Sequence, residues 1–214
     1  RLGGPEVRRP PTEEQLAFGG AGRGPQVLPG TYTVKLTAGD KTLEERVEVK
    51  LDPGIKALIP ELQQTFDMQI KLRDMQSNMN LGLRFLDSLK EQLKQAQTTM
   101  KTLNKEPDKD LMKALEDYIK QLDALMDRLA ARQEGLGLAG KSQVTDEIGN
   151  LFFSLDANFA PTAGQRQYFD ELQPAYRTRM EEVNKFLRET LPQWNERLRA
   201  WNAPTLTTRK PIEP

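Results

Sequence analysis

The sequence has no cysteine and no histidine among its 214 residues. Their absence removes thiolate nucleophiles, zinc sites built on Cys or His, and every triad that needs an imidazole base. A surplus of one charge is missing too. Lys and Arg number 31, Asp and Glu number 31, and the formal net charge is zero. A nucleic-acid binder carries a clustered basic surplus, and no basic run here exceeds two residues. No apolar stretch approaches the ~20 residues of a membrane span, so membrane insertion is not expected. No signal peptide is visible, and the chain opens at Arg1 without a methionine, as a processed or excised polypeptide would. A chain without cysteine also suits an exported protein. Any catalysis would have to rest on carboxylates, Lys, Tyr or Ser. The composition points to a binding or structural role, with no catalytic residue, no cofactor and no metal site expected.

What the chain does contain falls into two unlike parts. Residues 1–30 are rich in Gly and Pro and read as loop or irregular edge structure. In "TYTVKLT", Tyr32, Val34 and Leu36 then alternate with Thr31, Thr33, Lys35 and Thr37. After the turn residues "AGDK" comes "TLEERVEVKLD", with Leu43, Val47, Val49 and Leu51. Two β-rich runs around a Gly-Asp turn predict a hairpin with one face buried, closed by Pro53-Gly54.

From Pro60 the apolar period changes from two to about 3.5. Met68, Leu72, Met75, Met79, Gly82, Leu86, Leu89, Leu93, Ala96, Met100 and Leu103 form a heptad seam, which predicts one helix from about Pro60 to Leu103. Gly82 sits on that seam where neighbouring helices are expected to pack closest. "NKEPDKD" breaks the helix, and Asp108 is the expected cap of a second one. That helix carries Leu111, Leu115, Tyr118, Leu122, Leu125 and Leu129 and runs to about Glu134. Thr145 is expected to cap a short third helix bearing Ile148, Leu151, Phe152 and Leu155. Thr162 and Gln165 form a capping box for the fourth. Its stripe runs from Leu172 through Trp194 to Trp201, with a bend or break expected at Pro174 and Pro192. Short loops between long amphipathic helices make neighbours antiparallel. The expected fold is mainly α: an up-down bundle of four helices, one very long and one short, with a small N-terminal β-hairpin. The boundaries expected are 1–53 for the Gly/Pro-rich segment and hairpin, 54–203 for the bundle, and 204–214 for a loose tail.

One motif suggests chemistry. "GLGLAGKS", Gly135 to Ser142, matches the phosphate-loop pattern G-x-x-x-x-G-K-[ST], in which Lys141 would reach a phosphate. Such a loop needs a buried strand before it and a helix immediately after it. The segment before it, "YIKQLDALMDRLAARQE", is instead a charged amphipathic helix, and no strand–helix alternation supplies a parallel sheet. A connector whose glycines end the second helix is the favoured reading. The seven methionines read as core filler, four of them on the seam. Trp194 and Trp201 read as core anchors rather than a binding hot spot. Asp108/Asp110 and Asp146/Glu147 stand at helix starts, where the helix dipole favours negative charge.

The stretch "GPQVLPGTYTVKLTAGDKTLEERVEVKLDP" resembles the C-terminal region of bacterial exported proteins with sortilin-like Asp-box β-propellers, often labelled glycosyl hydrolases. In that family an immunoglobulin-like module ends in a "PGTYTV-L" strand, a turn and a strand closing in "V-DP", and a bundle of long helices follows. "APTAGQ" and "LPQWNERLR" in the last helix also fit. No Asp-box occurs in this sequence, so no catalytic residue carries over. The resemblance implies an exported location (periplasmic, envelope or extracellular) and a non-catalytic accessory, scaffolding or protein-interaction module at the C-terminus of a larger protein. The hairpin would then be the end of a truncated immunoglobulin-like sandwich. Expected partners are other domains of the same polypeptide, another protein, or a homo-oligomer. The alternatives are a nucleotide-binding or enzymatic domain using the glycine loop, and a free-standing coiled-coil adaptor.

Overall fold

In the computed structural model, the described residues are 2–10, 13, 24–103, 108–131, 133–134, 138–139 and 142–213. Two strands come first, β1 (Gly30–Ala38) and β2 (Lys41–Val49). They are followed by α1 (Ile59–Leu103), α2 (Lys109–Leu129), and two-residue strands β3 (Gln133–Glu134) and β4 (Leu138–Ala139). The chain ends in α3 (Val144–Ser154), α4 (Ala163–Lys185), a π-helical turn over Phe186–Thr190, and α5 (Leu191–Ala200). α4, the π turn and α5 form one long fourth helix of an antiparallel, up-down bundle.

The seam of α1 organises that bundle. Leu72, Leu86, Leu89 and Leu93 are completely buried, and Met79 and Gly82 are buried between them. The seam also extends toward the N-terminus of α1 through buried Leu62, Thr65 and Gln69. Thr65 and Gln69 are polar, but each donates to a backbone carbonyl of the loop after α3, Phe159 and Leu155 respectively. The Thr65 hydroxyl and the Gln69 amide nitrogen thereby gain the partners that buried donors need. Leu115, Leu122 and Leu129 from α2, Ile148 from α3, and Met180 and Leu191 from the fourth helix complete the interior.

Helix ends follow local chemistry, with two corrections. The Asp108 carboxylate accepts from the N–H groups of Asp110 (2.8 Å) and Leu111 (3.0 Å), and Thr162 and Gln165 form the expected capping box. α2, however, stops at Leu129 and not near Glu134. Its last carbonyl accepts from the Thr145 hydroxyl at 2.6 Å, and the Ala131 N–H donates to Asp146 at 2.9 Å. The docked start of α3 therefore takes over the end of α2. Thr145 is for the same reason buried inside α3 and does not cap it; Gln143 takes the cap position, in a capping box with Asp146, whose carboxylate accepts from the Gln143 N–H at 3.0 Å.

The two prolines of the fourth helix behave differently. Pro174 lies within α4 without ending it. At Pro192 the backbone widens to a π turn in which the Leu191 N–H bonds the Phe186 carbonyl five residues back. A proline ring collides with the carbonyl four residues before it, and widening the turn relieves that collision. After α5, Asn202 adopts φ +53°, while the N–H groups of Asn202 and Ala203 return to the carbonyls of Arg199 and Leu198. This is a Schellman ending with asparagine in the left-handed position.

The tail is not loose. Leu206 and Ile212 are buried in the core cluster. Asn195 donates to the Leu206 carbonyl (3.0 Å) and accepts from its N–H (2.7 Å); Asn184 does the same for Ile212, at 2.8 Å each. Two buried asparagines thus supply the backbone partners that an irregular buried segment otherwise lacks. At the other end of the chain, residues 2–10 lie along α1. Arg8 grips Asp87 through two bonds (2.7 and 2.8 Å), and Asn80 donates to the Glu6 carbonyl. The start of this segment packs directly on Gly24, where a Cβ would fall 2.0 Å from the Leu2 carbonyl oxygen.

Candidate interaction surface

The hairpin is regular from end to end. Tyr32 pairs with Val47, Val34 with Glu45, Leu36 with Leu43 and Ala38 with Lys41. Gly39, at φ +58°, takes the first position of the two-residue turn, where a II′-type connection needs a left-handed residue. Alternation then sorts the side chains by face. Tyr32, Val34, Leu36, Ala38, Leu43, Val47 and Val49 share one side with Glu45 and Lys41, and Thr31, Thr33, Lys35, Glu44, Arg46 and Glu48 share the other.

The expected burial of the apolar side does not occur. Val34 is 53% exposed, Leu36 62%, Leu43 69% and Val47 43%. Among the described residues no other strand pairs with β1 or β2, so both outer edges are open. Among the described residues, the root of the hairpin borders the bundle. There the Tyr32 hydroxyl donates to the Leu28 carbonyl at 2.7 Å, and Val49 and Leu51 border a groove of about 300 Å³ with Ile55, Leu62 and Phe66. Gln69 also lines this groove, and its buried Oε1 has no hydrogen-bond partner among the described residues. An exposed alternating apolar face with open edges is unusual, because isolated strand edges invite pairing with other chains.

The other candidates divide between core and surface. Gly135, Leu136, Gly137, Gly140 and Lys141 of the glycine loop lie outside the described residues. What borders them is α2 on one side and α3 on the other, with Gln133–Glu134 paired antiparallel to Leu138–Ala139. The Asp146 carboxylate already accepts from the first free N–H of α3, the position where a phosphate loop would place its anion. Trp194 is buried, stacked on Tyr118 with ring centroids 4.2 Å apart, and met edge-on by Phe186 at 5.2 Å. Trp201 is half-buried at the rim of an open groove of about 460 Å³ with Asp110, Lys113 and Arg197. Met68, Met75, Met79, Met126 and Met180 are buried; Met100 and Met112 pack against the same core. Among the described residues no three His, Cys, Asp or Glu side chains are grouped to hold a metal ion, and no helix is long and apolar enough to cross a membrane.

The sequence pattern marked the hairpin's apolar residues individually. What it could not supply was their exposure, since alternation looks the same whether the face is covered or bare. Comparison of the chain with family models, with curated proteins and with solved structures finds no match in any of the three.

Proposed function

We propose that this chain is a non-catalytic scaffolding and protein-interaction module. The bundle serves as its rigid body, and the β1–β2 hairpin is its docking element. The observation that carries the reading is the apolar face of Val34, Leu36, Leu43 and Val47, exposed on a well-formed ribbon to which no further strand pairs among the described residues. A ribbon of two strands is marginal alone and gains stability when further strands or a helix cover it. The resemblance to the C-terminal region of exported β-propeller proteins agrees with this reading. It suggests that the hairpin completes a β-sandwich in a larger exported protein. Propeller repeats encoded ahead of Arg1 would support that location, and a start codon just ahead of it would refute it.

Neither alternative draws support of this kind. A nucleotide site at the glycine loop would put phosphate beside Asp146 and Glu147 at the start of α3, where like charge repels it. A coiled-coil adaptor would need a free heptad seam, and the seam of α1 is filled by its own chain.

Replacing Leu36 and Leu43 together with threonine tests the docking role. Threonine keeps β-propensity and removes the apolar face. The thermal melt of the helices should be unchanged, because neither side chain belongs to the core cluster. A melt lowered by several degrees would mean that the face serves folding, and the docking reading would fail.

A further inference from the structure

The side chains of β2 identify one occupant of the open edge. We infer that a second copy of this chain pairs antiparallel along the outer edge of β2, in the register centred on Val47. The inference rests on the hairpin being the docking element. In this register Val47 meets its own counterpart, Glu45 meets Val49, and Leu43 faces Leu51 just past the end of the second copy's β2 on the apolar face. On the polar face Arg46 meets Glu48, and Glu44 faces Lys50, the residue that follows β2, each twice by the twofold symmetry.

Charge selects this register over its neighbours. Centring the pair on Glu45 opposes Glu44 to Arg46 twice, but it sets the Glu45 carboxylate against its own counterpart and leaves Glu48 facing Thr42, so it has half the opposite-charge pairs and one like-charge pair. Centring it on Arg46 sets two guanidinium groups together and places Glu44 against Glu48. Like charges directly opposite one another destabilise a strand pair. A shift by one residue would lay the apolar face of one copy beside the polar face of the other. Pairing along β1 about Val34 opposes Tyr32 to Leu36 and Thr33 to Lys35, with no opposite charges to fix it. β2 is therefore the edge with a built-in complement.

The chain gives up little to form this contact. Within one copy Lys35 pairs with Glu44 and Lys50 with Glu48, both at 3.3 Å, but all four side chains are more than half exposed. Exposed pairs contribute little and exchange partners readily. Joining two hairpins yields a four-stranded sheet, which passes the strand count at which sheets become independently stable. The ladder and the apolar contacts supply the affinity, and the charges supply the register.

Sedimentation equilibrium of the full chain from micromolar to millimolar concentration tests this, with hydrogen exchange of the hairpin amides as a second readout. The wild type should form a dimer whose β2 amides gain protection with concentration. Arg46→Glu should weaken the dimer at least about tenfold, because two attractions become two repulsions. Adding Glu48→Arg exchanges the opposed charges and should restore wild-type association. Helical circular dichroism should be the same for all three proteins. A single-variant dimer as tight as wild type, or a double variant that stays monomeric, would overturn the register, and a dimer with unprotected β2 amides would overturn the interface. A wild type monomeric throughout with freely exchanging hairpin amides would overturn pairing with a second copy, while leaving docking onto another β-domain intact. Hairpin amides protected in the monomer would overturn both readings.

Discussion

Gly82 shows how one missing side chain is used. A Cβ placed there would lie 3.6 Å from Val183 of α4 and 3.6 Å from Ile212 of the tail, which is ordinary van der Waals contact. Alanine therefore fits, and it recovers up to ~1 kcal/mol of helix propensity. Leucine does not fit, and forcing it in should cost ~1–3 kcal/mol. Thermal melts should rank Gly82→Ala at or above wild type and Gly82→Leu clearly below it. A leucine variant as stable as wild type would show that the crossing is slack. Tyr176 makes a second residue-scale case. Burial pushes its phenol above the usual value of 10.0. The Asp74 charge pushes the same way, and the hydrogen bond from Asn78 opposes both. A raised folded-state pKa means that the fold holds the proton longer than the unfolded chain does. Its stabilising contribution is full below pH 10 and is lost as pH rises through the folded value. Tyr176→Phe should flatten the fall in melting temperature above pH 10. An identical alkaline slope in the variant would assign that fall to other groups.

At the scale of the element, the tail behaves as a fifth component of the core. Asn184 and Asn195 each satisfy both backbone groups of one buried tail residue. Asn195→Ala would strand the Leu206 N–H and carbonyl. Leaving buried polar groups unpaired costs ~1–3 kcal/mol each. Denaturant titration should show the unfolding free energy lowered by that order, and removal of residues 204–214 should destabilise the bundle further by uncovering Leu206 and Ile212. A truncated chain with an unchanged midpoint would demote the tail to an appendage. The π turn is a second element-scale device. It lets one helix pass Pro192 and keep Phe186, Leu191 and Trp194 on the core, where a break would have separated them.

For the whole molecule, the contrast lies between a packed bundle and a bare ribbon. Amide exchange should follow it, since local stability tracks buried apolar contact. In dilute solution the amides of Val34, Leu36, Leu43 and Val47 should exchange orders of magnitude faster than those of Leu86, Leu89 and Leu93. Equal protection in the two regions would mean that the hairpin folds as part of the bundle, and the docking surface would lose its basis.

Periodicity alone determined the helices. The four-three steps of α1 and α2 and the capping residues Asp108 and Thr162 state their structure locally, because helical bonds and caps span only a few residues. The alternation of Tyr32, Val34 and Leu36 determined the hairpin in the same way. The end of α2, the burial of Thr145, the anchoring of the tail by Asn184 and Asn195, and the exposure of the hairpin face were decided by tertiary structure. Each depends on a group distant in sequence: Thr145 is 16 residues from Leu129, and Asn184 is 28 from Ile212. A lone asparagine or threonine gives no sign of which distant backbone group it will meet. An apolar strand face likewise carries no mark of whether anything lies against it, since burial is a relation between elements and not a property of either one.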